Sequence, residues 1–209
     1  DKDARIRQVM ISSKDYLIAQ LTRECVGDVA ACSTAGAMNI RNGQWDAELC
    51  EVAEIDMTIL PHLHNPQDNI GTVTESAAQR TGFSAGTAVY AGIGDAGATT
   101  LASGVSHPGQ YNINIGTSGW IATVSTEPFT DKPGASNLAF GVEEGFVNAV
   151  PFLNAGDVHK WVTGIFSDGD YAEAHQLIET SKPGSNGVLC LPYLVGERFP
   201  VMNPNIRGA

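Results

Sequence analysis

The sequence predicts an α/β chain, and neighbouring stretches in its middle carry that prediction. The β-rich run from Ala88 to Ile93 is followed by a tight turn and by a helix of small residues that begins at Asp95. Gly104 is the expected end of that helix. Beyond it, the runs YNINI and WIATV stand on either side of the residues GTSG, which predicts a β-hairpin. An acidic side chain therefore stands where a strand meets a helix, and a loop of small residues follows it.

Helix-capping residues mark the beginning of the chain. Ser12 or Ser13 begins a helix that extends to about Leu21. The spacing of Ser12 and Asp15 is a variant of the capping box, in which the two ends of the first helical turn bond to each other. The small-residue run over residues 30–38 predicts a loop or a short extended piece.

Two more helices are predicted before the central strand. Asp46 begins one of them, with the sequence DAELCEVAEI. Thr74 caps the other, ESAAQRT, and Gly82 supplies its C-terminal turn. Between these helices, His62 and His64 stand in PHLHNP. No third metal ligand is near them in the sequence, so a surface loop is favoured over a metal site.

The part that follows the hairpin alternates strands and helices in the same way. GASNLAFGVEEGFVNAV predicts two strands that turn at residues 143–145. Helices are predicted over 154–166 and 171–180, and VLCLPYLV predicts a short buried strand. We expect Glu197 and Arg198 to pair and fix their loop rather than to act in catalysis. The apolar face that the first of these helices is expected to bury consists of Val158, Trp161, Val162 and Ile165.

The composition is that of an ordinary globular chain with a negative charge. Hydrophobic residues make up 43% of the 209 residues and the net charge is −11. The length suffices for one large or two small domains. The charge argues against nucleic acid or an anionic membrane as a partner. No signal peptide opens the sequence and no apolar run approaches a membrane span, so a cytoplasmic location is expected. The cysteines show no CxxC or zinc spacing and are expected to be buried free thiols: Cys25, Cys32, Cys50 and Cys190.

Three short motifs can be compared with the central stretch. Gly92, Gly94 and Gly97 spell GxGxxG after a strand and before a helix, which favours a dinucleotide site such as one for NAD. However, no acidic residue occurs between Asp95 and Glu127 to hold a ribose, and the charge of Asp95 would repel a pyrophosphate. GTSGW does not match the GxSxG of a serine nucleophile, because tryptophan stands at the second glycine. No GxxxxGK[ST] phosphate loop occurs.

A carboxylate together with a loop of backbone amides is chemistry that suits phosphoryl transfer, which needs mainly positioning and charge stabilisation. Asp95 at the start of a helix can either accept a proton as a general base or simply cap the helix. The loop is Gly116, Thr117, Ser118 and Gly119, and it reads equally as an ordinary hairpin turn. No lysine or arginine lies in residues 81–131, so phosphates there would be held by backbone N–H groups and a metal ion.

The chain resembles the FGGY carbohydrate kinases of the actin-like ATPase superfamily. GIGDAGATTLASGVSHPGQYNINIGTSG is similar to the core signature of that family. Four further stretches match in the correct order, and together they extend over nearly the whole chain: SSKDYLIAQLT, WDAELCEVAEI, IGTVTESAAQRTGFSAGTAVYAG and LPYLVGERFPVMNPNIRGA. The resemblance implies an α/β, actin-like (ribonuclease H-like) fold, with Asp95 as the base that deprotonates a sugar hydroxyl. It also implies that Gly116, Thr117, Ser118 and Gly119 hold the phosphates of ATP, with Mg²⁺ as the metal ion.

The resemblance also implies an incomplete pair of lobes. Residues 1–108 would be the C-terminal portion of the sugar-binding lobe and 109–209 the N-terminal portion of the ATP-binding lobe. The expected partners are a sugar, ATP and the missing lobes of the same enzyme, with a homodimer as a possible assembly. GIGDAGA followed by GTSG is closer to xylulose and gluconate kinases than to glycerol kinase, so a ketopentose such as xylulose is the first choice. A non-catalytic nucleotide-binding member of the superfamily is the alternative.

The isolated chain is predicted not to turn over ATP. The family opens with a DxGT-type phosphate loop and continues to an adenosine-binding segment, and neither is present in this sequence. The measurement is an assay of the chain with ATP, Mg²⁺ and several ketoses. Robust turnover would contradict the prediction.

Overall fold

The computed structural model describes residues 6–208, and it confirms the predicted α/β organisation. In that part of the chain, no helix is long and apolar enough to cross a membrane. The helices are α1 (Ser13–Thr22), α2 (Val29–Cys32), α3 (Ala47–Val52), α4 (Glu75–Thr81), α5 (Asp95–Ala102), α6 (Gly156–Phe166) and α7 (Tyr171–Thr180). The strands are β1 (Val26–Asp28), β2 (Met38–Asn39), β3 (Gln44–Trp45), β4 (His62–His64), β5 (Asn69–Thr72), β6 (Ala88–Tyr90), β7 (Tyr111–Ile115), β8 (Gly119–Ser125), β9 (Ser136–Ala139) and β10 (Phe146–Phe152).

Within residues 6–208, the strands form one four-stranded sheet and three pairs. The larger sheet has the order β7-β8-β10-β9, and it contains the predicted hairpin of β7 and β8. β1 pairs with β4 in parallel, whereas β2 with β3 and β5 with β6 are antiparallel. The strand pair β5–β6 leads directly into the turn before α5, which places Asp95 at the first residue of that helix.

The chain divides into two compact units, and both contain discontinuous segments. The first consists of residues up to Tyr111 with 123–128 and 137–148, and the second of 112–122, 129–136 and the residues from 149 onward. Asp95 therefore belongs to the first unit and Gly116 to the second. The two lobes expected at 1–108 and 109–209, whose ranges extend beyond the described residues at both ends, stay a prediction.

The core of the first unit includes α2, a helix that the sequence analysis did not predict. The prediction of a loop or extended piece over 30–38 is wrong for residues 30–35, which are helical because Asp28 caps a helix there, whereas Met38 lies in the strand β2. Asp28 Oδ1 accepts the N–H groups of Ala30 and Ala31, each at 3.0 Å. Five of the nine residues 30–38 are alanine or glycine and carry no hydrophobic period, so only the capping aspartate indicated the helix. The buried cluster that α2 joins consists of Val29, Cys32, Met38 and Ala139.

His62 and His64 also differ from expectation, since they form β4 and not a surface loop. Val26 pairs with His62 and Asp28 with His64 in the parallel register. A parallel partner is distant in sequence, and the flanking prolines of PHLHNP favoured a loop in the local pattern. Within residues 6–208, no group of three or more His, Cys, Asp or Glu side chains could hold a metal ion.

The cysteines are only partly as expected. Cys32 and Cys50 are buried free thiols, Cys25 is half-buried, and the prediction of burial is wrong for Cys190, which is exposed. Burial raises the pKa of the Cys32 thiol to about 12. Since only a thiolate is a good nucleophile, Cys32 is an inert core residue near neutral pH.

In the second unit, α6 and α7 form as predicted, but the apolar face of α6 is not buried as expected. Trp161 is 50% exposed and Ile165 is 55% exposed, whereas Thr163 is the buried residue of α6. VLCLPYLV is not a strand, and Leu189 within it is 90% exposed. An apolar period shows which residues share a face, but burial depends on what packs against that face.

Glu197 has a structural role that replaces the predicted ion pair. Glu197 as a whole residue is 5% exposed. Oε1 accepts the backbone N–H groups of Leu153 and Arg198, both at 2.7 Å, and Oε2 accepts the side-chain amide of Asn154 at 2.9 Å. The contact to Arg198 thus runs through its backbone. Burial alone would raise the pKa of Glu197, but these hydrogen bonds outweigh it and lower the pKa below its usual value.

The Glu197→Gln variant is predicted to be less stable than the wild type at pH 7, by about 1–3 kcal/mol, because an amide would face the Asn154 amide. A lowered pKa means that the carboxylate stabilises the fold above its unfolded-state pKa and that this contribution is lost as pH falls through the folded-state pKa. The difference between variant and wild type should therefore shrink in acid. Urea unfolding followed by circular dichroism at several pH values measures it.

The control for Glu197 is Glu179→Gln, the same substitution at an exposed position of α7, where the carboxylate lies 3.3 Å from His175. Exposed pairs contribute little, so this variant should stay within about 0.5 kcal/mol of the wild type. An equal loss in both variants would show that burial of the Glu197 carboxylate has no special role.

Candidate functional site

Asp95 occupies the first position of α5, directly after a turn of two glycines. Gly94 is the N-cap residue, with extended backbone angles, and the Asp95 side chain is exposed. Its Oδ1 accepts the N–H of Ala96 at 2.8 Å. The cap position is thus filled by a glycine, and the carboxylate beside it is accessible to a ligand.

Asp95 opens on a cavity of about 520 Å³ that lies within the first unit. Cavities of this size bind small molecules. Among its lining residues in the described chain, Lys14 and Asp95 are the charged ones. The lining comes from the starts of α1, α2 and α5 and from β9: Ile11, Ser12, Ser13, Lys14, Ala30, Ala31, Thr34, Ile93, Gly94, Asp95, Ala96, Gly97 and Leu138.

Lys14 is a residue of this cavity that the sequence analysis missed. Its Nζ lies 2.6 Å from Asp15 Oδ1 and 2.8 Å from Asp28 Oδ2, and both carboxylates are fully buried. Burial alone lowers the pKa of Lys14, but the hydrogen bonds and charges of the two aspartates outweigh it and raise the pKa above its ordinary value. The ammonium therefore stays charged. The stretch SSKDY at a helix start was the only local signal.

The loop of Gly116, Thr117, Ser118 and Gly119 lies in the second unit and joins β7 to β8. The Gly116 N–H donates to Ser118 O at 2.8 Å. The start of α6 holds the loop, since the Gly156 N–H donates to Gly116 O at 2.8 Å and the Asp157 N–H to Thr117 O at 3.3 Å.

Gly119 cannot carry a side chain, and the reason is packing. A Cβ there would lie 2.3 Å from Phe152 Cε2 and 2.8 Å from Asn114 O. At Gly156 a Cβ would lie 2.5 Å from Gly116 O, so the loop and the start of α6 approach each other closely. The glycines therefore allow a rigid hairpin end, whatever it binds.

Comparison with known proteins identifies the family. The model of the FGGY family of carbohydrate kinases, N-terminal domain, matches residues 1–102. The chain is 30% identical over 210 residues to a gluconokinase of Bacillus subtilis (strain 168), covering 95% of the chain and 41% of that protein. It is 34% identical over 206 residues to a xylulose kinase of Staphylococcus epidermidis, covering 96% of the chain and 41% of the relative.

Solved structures agree with these relatives. A ligand-bound xylulose kinase from Lactobacillus acidophilus superposes with a TM-score of 0.86 at 27% identity, covering 94% of this chain and 40% of that one. The chain thus spans about 41% of the length of the curated relatives it matches. The actin-like fold expected from the resemblance is confirmed, and the chain belongs to the FGGY family of carbohydrate kinases.

Proposed function

We propose that the protein carrying this chain phosphorylates a sugar hydroxyl with ATP, and that Asp95 is the general base. One observation carries the proposal: an exposed carboxylate at the start of α5 opens on a cavity of about 520 Å³. The family supports it, as do relatives that are xylulose kinases and gluconokinases.

In the proposed reaction the sugar oxygen attacks the γ-phosphorus of ATP. A new O–P bond forms, the bond between the γ-phosphorus and the bridging oxygen breaks, and ADP leaves with that oxygen. Asp95 accepts the proton that the sugar hydroxyl loses. Proton transfer to a positioned base contributes about 10²–10⁴ in rate.

The loop of Gly116, Thr117, Ser118 and Gly119 is proposed to hold the phosphates of ATP. Its geometry supports this, because two hydrogen bonds from the start of α6 fix its carbonyl groups before any ligand arrives. The Gly116 N–H already donates to Ser118 O, so the proposed donors are the backbone N–H groups and hydroxyls of Thr117 and Ser118.

Mg²⁺ is proposed to arrive with ATP. This ion is usually held by substrate phosphates, water and one or two carboxylates rather than by a complete set of protein ligands. Among the described residues no cluster of three ligating side chains occurs, so phosphate oxygens and water would supply most of the ligands of the ion. The ion would neutralise phosphate charge as the γ-phosphoryl group moves.

For the substrate, we propose a ketopentose such as xylulose, with gluconate as the second choice. The relatives support both, because they include xylulose kinases and gluconokinases. A nucleotide-binding protein without transfer is the alternative function.

The Asp95→Asn variant of the full-length protein is predicted to lose about 10²–10⁴ in kcat, because an amide cannot accept the sugar proton. Its Kd for ATP should stay within about twofold, since the side chain is proposed to contact the sugar hydroxyl. Glu75→Gln is the matched control, because Glu75 is likewise an exposed acid at the first position of a helix. Coupled ADP-release kinetics measure kcat in both variants, and an equilibrium titration with ATP measures the Kd. Full turnover in Asp95→Asn, or an equal loss in Glu75→Gln, would refute the role of Asp95.

Removing the loop hydroxyls is predicted to weaken ATP binding. Thr117→Ala and Ser118→Ala should each raise the KM for ATP by about 3–10-fold, the effect of losing one hydrogen bond, while the KM for the sugar stays constant. Thr180→Ala, which removes an exposed hydroxyl at the end of α7, is the control. Unchanged KM values for ATP in both loop variants would contradict the proposed binding of ATP by these hydroxyls.

A further inference from the structure

We propose that Lys14 is a positioning residue: held between Asp15 and Asp28, it fixes the turn of Gly92 and Gly94 that presents Asp95 to the cavity. The inference rests on the proposed function for the meaning of Asp95. It assigns a role to an ion-paired lysine that takes no part in the proposed phosphoryl transfer.

The first support is that Lys14 ties two helix starts together. Both of its aspartate partners also accept backbone N–H groups at the start of a helix. Asp15 Oδ2 accepts the N–H of Ser12 at 3.0 Å, and Asp28 Oδ1 accepts the N–H groups of Ala30 and Ala31. One ammonium therefore sets the spacing between the start of α1 and the start of α2, and both starts line the cavity.

The second support is that the turn before Asp95 packs on these two helix starts. A Cβ placed on Gly92 would lie 3.8 Å from Lys14 Cδ. A Cβ on Gly94 would lie 3.3 Å from the Cα and Cβ of Ala31. Lys14 and Ala31 therefore lie beside the turn, which is also held by a hydrogen bond from the Gly92 N–H to Pro66 O at 2.9 Å.

The consequence follows from charge and distance. Without the ammonium, two buried carboxylates face each other uncompensated, and they must separate, take up water or become protonated. Each of these changes moves the helix starts. A shift of about 1 Å in a catalytic group costs about 10²-fold in rate, so an effect on Asp95 is measurable without any contact between Lys14 and substrate.

The test uses the full-length protein with Lys14→Met and Lys14→Arg. Lys14→Met should lower kcat by about 10–100-fold, while the KM values for sugar and ATP stay within about twofold. Lys14→Arg keeps the charge and should recover much of kcat. A raised sugar KM with kcat retained would overturn the inference, because it would make Lys14 a ligand contact.

Hydrogen exchange gives a readout that does not depend on activity. Amides in residues 90–97 should exchange at least about tenfold faster in Lys14→Met than in the wild type, because the two helix starts beside the turn would move apart when the charge is lost. Unchanged exchange there, together with unchanged kcat, would overturn the inference.

A matched pair of aspartates separates positioning from capping. Asp28 and Asp46 are both N-cap residues that accept two backbone N–H groups, but Asp28 also pairs with Lys14, whereas Asp46 caps α3 outside the cavity lining. Asp28→Asn should lower kcat and speed exchange in residues 90–97, and Asp46→Asn should do neither. Equal effects in the two variants would overturn the inference.

The outcomes distinguish this inference from the proposed function. If Asp95→Asn keeps full turnover, the proposed function fails, while the exchange measurement still decides whether Lys14 holds the turn. If Asp95→Asn is inactive and Lys14→Met is fully active, only the role of Lys14 fails. Should Lys14→Met not fold, Asp28→Asn and Lys14→Arg carry the same comparison.

Discussion

The first unit depends on one half-buried ammonium, that of Lys14, placed between two fully buried carboxylates. Two negative charges against one positive charge are tolerable in a protein interior only if the remaining oxygens are also compensated. Here they are, because the other oxygens of Asp15 and Asp28 accept backbone N–H groups at two helix starts. Such a cluster adds little net stability over an apolar core, but it allows few alternative arrangements of the elements it joins. Its main effect is therefore on geometry.

The glycines around Asp95 have a physical reason in this arrangement. Gly92 has a positive φ of 67°, which other residues rarely adopt. Gly94 lies against Ala31, and a Cβ on Gly97 would lie 2.3 Å from Ile93 Cδ1. The spacing GxGxxG thus arises from one sharp turn and two close approaches. A pattern that elsewhere marks a pyrophosphate site can equally mark a strand-to-helix turn that packs tightly.

The sequence predicted the parts of the structure that local chemistry determines. Capping residues located the starts of α1, α3 and α4, and the runs around GTSG located the hairpin, because caps and turns depend on a few adjacent residues. Features that depend on distant partners were missed: the parallel pairing of His62, the exposure of Trp161 and the ion pair of Lys14 with Asp28. The cavity combines both kinds of feature. Asp95 was found from its turn, whereas the lysine in the same cavity lies far upstream and leaves no local period.

Two carboxylates show why burial separates structural acids from candidate catalytic ones. Glu197 is enclosed, and both of its oxygens already accept hydrogen bonds. Taking up a further proton would break those bonds, and the lowered pKa of Glu197 expresses that cost. Asp95 is exposed and borders a cavity, and the structure gives it one hydrogen bond, from the Ala96 N–H, among the described residues. A general base must exchange its hydrogen-bond partners during each turnover. A carboxylate that accepts few hydrogen bonds from the protein, but whose backbone is fixed in position, is therefore the better candidate for a general base. In this chain Lys14 and Ala31 lie beside the turn that positions the backbone of Asp95, and the cavity leaves the Asp95 carboxylate accessible.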